Sequence, residues 1–158
     1  ELTYVRAVED LDNREVPERA KYIRVIVMEL ARMQSFMLWY AGQSGSAGLY
    51  LTPQWSVGDR NYILDLFEDL TGGRIYHMYI WPGGVRRDLP EGWADKVLRT
   101  MDYIEKRLVE YNKIMFDNTI FQKRAQGVGI VPKEKAIEWG VVGPVLRGTG
   151  IKSDVRID

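Results

Sequence analysis

Residues 17–40 read Pro-Glu-Arg-Ala-Lys-Tyr-Ile-Arg-Val-Ile-Val-Met-Glu-Leu-Ala-Arg-Met-Gln-Ser-Phe-Met-Leu-Trp-Tyr. Ala20, Ile23, Val27, Leu30, Met33, Met37 and Tyr40 recur at steps of three or four, so they share one face of a long helix. Pro17 suits the first turn, where its missing N–H costs nothing. The flank of Glu18, Arg19, Lys21, Arg24, Glu29 and Arg32 is expected to sit in water or to pair at one-turn spacing. A stripe this long needs other apolar stripes to cover it, and the neighbouring segments supply them.

Upstream, Leu2 to Leu11 places Tyr4, Ala7, Val8 and Leu11 on the apolar side of a short helix ended by Asp12-Asn13. Downstream, Ala41 to Gly48 is built of small residues. It is either a flexible connection or a continuing helix whose glycine and serine face admits another backbone. Thr52-Pro53 or Gly58-Asp59 starts the next helix, with Ile63, Leu66, Phe67 and Leu70 as its stripe and Gly72 as its stop. Pro90-Glu91 opens another helix, where Trp93, Val97, Met101, Ile104, Leu108, Tyr111 and Met115 alternate steps of four and three, as in antiparallel bundles. Asn118 caps a short helix through Arg124, Gly127 and Gly129 interrupt, and Pro132 to Trp139 forms a last short helix stopped by Gly140. The close from Gly143 to Arg156 has no helical period, and its Arg147 would need a carboxylate partner to be buried. The fold class is therefore all-α, a helical bundle with irregular Gly/Arg-rich loops, expected as one helical domain over 1–158.

The loop Thr71–Pro90 interrupts this pattern. It holds His77, the sole histidine, the pairs Gly72-Gly73 and Gly83-Gly84, and Arg74, Arg86 and Arg87. Paired glycines lose much backbone freedom on folding, so a connection that keeps them is expected to use them, for a tight turn or for a ligand's approach. The plainer reading stands beside it: Gly72-Gly73 as a helix C-cap, Trp81-Pro82-Gly83-Gly84 as a turn, and His77 as a structural residue.

The 22 basic and 22 acidic side chains cancel, giving no support to nucleic-acid binding. With no cysteine the chain has no thiolate nucleophile and no thiolate ligand for zinc or an iron-sulfur cluster, and one histidine makes a His-rich metal site improbable. A classical nucleophilic triad is absent. The adjacent carboxylates Glu9/Asp10 and Glu68/Asp69 point different ways and read as solvated faces. No apolar run reaches the length of a membrane span. The chain opens in helical pattern at Glu1 without a methionine, so it is expected to be a fragment of a longer protein.

Val16-Pro17-Glu18-Arg19-Ala20-Lys21-Tyr22-Ile23-Arg24-Val25, Asp65-Leu66-Phe67-Glu68 with Thr71-Gly72-Gly73-Arg74, Gly83-Gly84-Val85-Arg86-Arg87-Asp88-Leu89-Pro90, Gly127-Val128-Gly129, and Leu146-Arg147-Gly148-Thr149-Gly150 with Asp154 and Arg156 occur in the order found in one family. The chain resembles the 49-kilodalton subunit of respiratory complex I, a relative of the large subunit of nickel-iron hydrogenases. The resemblance runs from Tyr4 to Arg156. It implies the helical core of the hydrogenase large-subunit-like fold, and a part in the quinone-reducing subunit of an NADH or other donor:quinone oxidoreductase. The family member walls the quinone chamber beside the terminal iron-sulfur cluster, which a neighbouring subunit ligates, and sits on the membrane arm. The implied place is peripheral, on the cytoplasmic side of the cell membrane, with the cluster-bearing subunit and membrane arm as partners. No cofactor is expected to be bound by this segment, and the fragment alone is expected to be inactive.

On the same basis Phe36, Arg74, His77 and Arg147 are candidates for the quinone-chamber or cluster side, and Arg86, Asp88 and Asp154 for subunit interfaces. The family's quinone-headgroup tyrosine and histidine match the region before Glu1. Where the family usually has Ser-His-Leu-Leu, this chain has Ser35-Phe36-Met37-Leu38, and phenylalanine neither exchanges a proton nor donates a hydrogen bond. Ser46-Ala47-Gly48 replaces the family's acidic residue before Thr-Pro. Both departures suggest a divergent relative. The alternatives are the large subunit of a membrane-bound hydrogenase or a sulfur-reducing relative, and a non-enzymatic helical interaction domain.

Overall fold

A computed structural model describes residues 1–154 and 157; Arg156, named above, lies outside the described residues. The backbone forms two compact units, Glu1–Asn118 and Thr119–Asp158.

In the first unit the elements run α1 (Leu2–Asp12), α2 (Glu18–Ser46), α3 (Leu51–Thr71), β1 (Ile80–Trp81), β2 (Gly84–Val85), α4 (Trp93–Tyr111) and a π-helical turn (Asn112–Phe116). The expected α2 stripe is the buried one: Ala20, Ile23, Val27, Leu30, Met37 and Tyr40 are buried and Met33 half-buried. α3 answers with Ile63, Leu66, Phe67 and Leu70, each fully inaccessible. The two helices are antiparallel, because their contacts run in opposite order: Gly45 faces Pro53, Ser56 Oγ donates to the Met37 carbonyl at 2.7 Å, and Arg60 donates to Gln34 at 3.0 Å.

The small-residue stretch after Tyr40 continues α2 to Ser46. A Cβ on Gly45 would lie 3.4 Å from Pro53 Cγ, and the buried Ser44, Thr52 and Ser56 return their hydroxyls to backbone carbonyls. This end of the hairpin is closely packed because nothing larger intervenes. α4 is antiparallel to α3, with Lys96 paired to Asp69 at one end and Asp59 joined to Tyr103, Arg107 and Tyr111 further along. The Trp93 indole N–H donates to the Leu66 carbonyl at 2.9 Å.

Several expectations need correction. Pro90 and Glu91 precede α4, which starts at Trp93 because Gly92 takes a left-handed φ of 70° and forms the turn before it. The stripe extends to the buried Met115, but only by widening from α to π geometry after Tyr111. Leu108 is exposed, while Arg107 beside it turns toward Asp59. In α1 the inner face is Val5 and Glu9; Tyr4 and Leu11 are exposed at 76% and 87%. The helix is rotated so that Glu9 meets Arg24, and Arg24 is buried, not solvated.

The second unit holds α5 (Thr119–Ala125), α6 (Lys133–Glu138) and α7 (Gly143–Gly148). Gly127, Gly129 and Gly140 adopt positive φ, as their placement at breaks requires. α7 falls where no helical period was legible: six residues with Pro144 in the first turn are too few to show one.

Candidate functional site

The loop between α3 and α4 is pinned at nearly every step. α3 ends in Gly72 at φ 80°, whose N–H returns to the Glu68 carbonyl at 2.8 Å. The Thr71 hydroxyl donates to the Phe67 carbonyl at 2.8 Å and accepts from the Gly73 N–H at 3.1 Å. A Cβ on Gly73 would meet the Tyr76 carbonyl at 3.0 Å, so glycine is needed there for a close backbone approach.

His77 lies flat on Phe67, with centroids 3.9 Å apart and planes at 13°. Its Nδ1 is 3.2 Å from the Gly73 carbonyl, which can only accept, so Nδ1 carries a proton and Nε2 of the neutral ring is a buried lone pair without a partner among the described residues. Burial pushes the His77 pKa down, against smaller upward pulls from the Gly73 carbonyl and the Glu1 carboxylate. Tyr79, next to the exposed Met78 and just before β1, is buried and donates to the Arg87 carbonyl at 2.6 Å. Arg87 in turn donates from Nε to the Leu70 carbonyl at 2.7 Å, satisfying an acceptor at the α3 C-terminus.

β1 and β2 form a hairpin with Ile80 opposite Val85 and Trp81 opposite Gly84. Pro82 and Gly83 occupy the turn centre, with Gly83 at φ 92°, the residue pattern of a type II turn. Beneath the turn lies the buried Glu9–Arg24 pair. Arg24 Nη1 and Nη2 donate to the two Glu9 carboxylate oxygens at 2.9 and 2.6 Å. Arg24 Nη2 also reaches the Trp81 carbonyl at 2.8 Å, and Nε the Gly84 carbonyl at 3.0 Å. The Gly83 N–H donates to Glu9 Oε1 at 2.7 Å. The Arg24 guanidinium holds the Glu9 carboxyl at a pKa of about 2, outweighing the upward push of burial.

This loop carries most of the residues singled out from the sequence, though not as one cluster. Arg74 turns back along α3 to pair with Asp65 at 2.6 Å and Glu68 at 2.5 Å. Arg86 stacks over Trp81 at 5.9 Å. Asp88 pairs with Arg19 at 2.9 Å and accepts from its neighbour's N–H, that of Leu89, at 2.8 Å. Phe36 sits mid-α2, 48% exposed and stacked on Trp39 at 5.3 Å, away from the loop in sequence and on an outward side of its helix. Arg147 belongs to α7 in the second unit, where Nη1 is 3.8 Å from Asp154 and 3.5 Å from the Ser153 carbonyl. Between the pinned positions the loop presents Ile75, Tyr76, Met78 and Trp81 outward, with Tyr76 90% exposed.

Two groups were missed from the sequence. Spacing alone makes Glu9 solvated and Arg24 part of the polar flank, yet Arg24 lies four residues after the buried Ala20 and three before Val27, on the inner face. Likewise Asp59 falls one turn before Ile63 on the α3 stripe. It accepts from Tyr103 Oη at 2.8 Å, Arg107 Nε at 2.7 Å and the Tyr111 hydroxyl. The Tyr40 hydroxyl donates to the Tyr111 carbonyl at 3.0 Å, where α4 widens. Burial, reinforced by the hydrogen bond to Asp59, pushes the Tyr103 pKa up to about 12 and raises that of Tyr111 as well. Among the described residues no group of three or more His, Cys, Asp and Glu side chains could hold a metal ion. No described helix is long and apolar enough to cross a membrane.

Residues 47–158 match the family described as respiratory-chain NADH dehydrogenase, 49 Kd subunit. The chain belongs to this family. Over 156 residues it is 47% identical to an NADH-quinone oxidoreductase subunit of Thermosipho melanesiensis, covering 99% of this chain and 42% of that one. It is 44% identical over 156 residues to a chloroplastic NAD(P)H-quinone oxidoreductase subunit of Physcomitrium patens, covering 99% and 40%. The chain thus spans about two fifths of the length of these curated relatives, 42% and 40%. Among solved structures it resembles a chain of the membrane-bound sulfane sulfur reductase, an archaeal respiratory membrane complex. The TM-score is 0.91 at 43% identity, over 94% of this chain and 40% of that one. The likeness agrees with the helical fold, which among the described residues carries one small hairpin.

Proposed function

We propose that this chain is part of the quinone-reducing subunit of a complex I type NAD(P)H, or other donor, quinone oxidoreductase, and that it forms wall and scaffold of the quinone chamber. The observation that carries the reading is the 47% identity to the Thermosipho quinone oxidoreductase subunit along 99% of the chain. The loop supports it physically. A quinone needs an apolar wall and a few fixed polar groups, and residues 71–90 hold Ile75, Met78 and Trp81 outward on a backbone fixed from beneath.

The chain's own part is to position and to exclude water, not to carry electrons. With no cysteine, these residues offer no thiolate to an iron-sulfur cluster, and in the proposed complex a neighbouring subunit ligates it. Arg86, Asp88 and Asp154 are proposed at subunit interfaces, and Arg74, His77, Arg147 and Phe36 on the chamber or cluster side. This chain is proposed to lie peripherally on the cytoplasmic side of the cell membrane, seated on the complex's membrane arm. Alone, the fragment is expected to be inactive.

The second reading is a sulfur-reducing relative, favoured by the 43% identity and TM-score of 0.91 to the sulfane sulfur reductase chain. The purified full complex, supplied with its reduced donor and offered a short-chain quinone or a sulfane sulfur acceptor in parallel, separates the two. Turnover with quinone alone supports the first reading; turnover with sulfane sulfur alone replaces it with the second.

A further inference from the structure

The Glu9–Arg24 pair has features a plain structural ion pair does not need. Both side chains are 6% exposed, and two charges withdrawn so far from water are stabilised only when their remaining hydrogen-bonding positions are filled. Here they are filled by one object, the Trp81–Gly84 turn. Arg24 takes two of its carbonyls and Glu9 takes its Gly83 N–H. A two-stranded hairpin of this length has almost no stability of its own, so its orientation is set by what holds it. Trp81 faces outward at 52% exposure with Arg86 stacked on it, and the preceding residues Tyr76 and Met78 are likewise exposed.

We infer that Glu9 and Arg24 are positioning residues for the acceptor site, fixing the hairpin and through it the exposed crest of Tyr76, Met78, Trp81 and Arg86, although neither residue reaches that surface. This rests on the proposed reading of the loop as chamber wall. A guanidinium is required because the array is planar and forked: two carboxylate oxygens and two carbonyls are reached from one group, which an ammonium on a flexible stem cannot reproduce. A wall that meets the acceptor in ground state and transition state alike contributes uniform binding, so its misplacement raises KM and leaves kcat in place.

The test uses the full complex carrying Arg24→Gln, Arg24→Lys or, as the milder change that keeps side-chain size and an oxygen for Gly83, Glu9→Gln. Subunit content, hydrogen exchange of the 80–88 segment and acceptor kinetics are measured together. The expected result is an assembled complex in which exchange of the Gly83 amide accelerates, acceptor KM rises about tenfold and kcat stays within about twofold, with Lys no better than partial rescue. Faster exchange with KM and kcat both unchanged would overturn the proposal, as the pair would then merely stabilise the fold. Failure of both Arg24→Gln and Glu9→Gln to assemble would overturn it too, because positioning could not be separated from folding. If the wild-type complex reduces sulfane sulfur and not quinone, the quinone reading falls, and the same KM and kcat comparison with sulfane sulfur decides the positioning role.

Discussion

Replacing Asp59 by alanine should be among the most damaging single changes in the first unit, and its size can be worked from the contacts. Asp59 is 5% exposed and accepts from Arg107, Tyr103 and Tyr111. Removing one partner of a buried ion pair costs about 3–5 kcal/mol. The Arg107 side chain is 21% exposed and keeps Glu110, so the lower end, about 3 kcal/mol, applies. The Tyr111 hydroxyl loses its acceptor in a residue 3% exposed, adding about 1 kcal/mol. Tyr103 is 37% exposed and its hydroxyl can turn to water, adding little. The total is about 4 kcal/mol, a large part of the roughly 5–15 kcal/mol that holds a domain together. Urea unfolding should show the midpoint falling at constant slope, and Asp59→Asn, which keeps one accepting oxygen but sets N–H donors against the other partners, should also destabilise, by less than the alanine change. A loss below about 1 kcal/mol for Asp59→Ala, or additivity between Asp59→Ala and Tyr111→Phe, would refute the view of one coupled network.

Other expectations concern pH and the loop. Glu9 has its pKa lowered from 4.5 to about 2, so its contribution is complete above pH 4.5 and is lost as pH falls toward 2. The size is on the order of 3 kcal/mol and should vanish in Glu9→Gln, as acid-unfolding curves will show. Tyr103 is shifted the other way: its contribution is complete below pH 10 and disappears as pH rises toward 12, visible as late phenolate absorbance that Tyr103→Phe reduces by one tyrosine's share, since Tyr40, Tyr79 and Tyr111 are raised as well. His77, the sole histidine, should give one imidazole NMR signal that titrates below 6.5; its stabilisation is present above that pH and lost as pH falls through the lowered value. Gly83→Ala should destabilise by about 1–2 kcal/mol, since φ is 92° and a Cβ would meet Arg14 Cδ at 3.1 Å; thermal unfolding measures it. Arg74→Ala should leave the unfolding midpoint almost unchanged, because its ion pairs are half exposed and screened by water, so a loss of turnover in the assembled complex reports function.

What could be read from residues alone was whatever repeats locally. The α2 and α3 stripes, the Gly72 cap and the breaks at Gly127 and Gly140 all follow from spacing and backbone freedom within a few residues. What escaped depended on a partner far along the chain. Arg24 lies 15 residues from Glu9 and some 60 from Gly84, and Asp59 lies 48 from Arg107. Their charge argued for solvent, and only distant carboxylates, hydroxyls and carbonyls reverse that argument. The face of α1 is hidden from the sequence for the same reason, because an acidic residue, Glu9, turns inward and Leu11 does not. In the loop, the chemistry-bearing residues were legible as a group, but their directions were not. Arg74 and Arg87 turn back to α3 and His77 stacks on Phe67, while Tyr76 and Trp81 face out.

The most direct measurement is to photo-cross-link an azido-quinone to the intact complex under turnover and to map the labelled peptides. The account predicts quinone-protectable label within residues 71–90, centred on the outward side chains from Ile75 to Trp81. Label confined to other subunits or to other segments of this chain, with residues 71–90 clean, would contradict it.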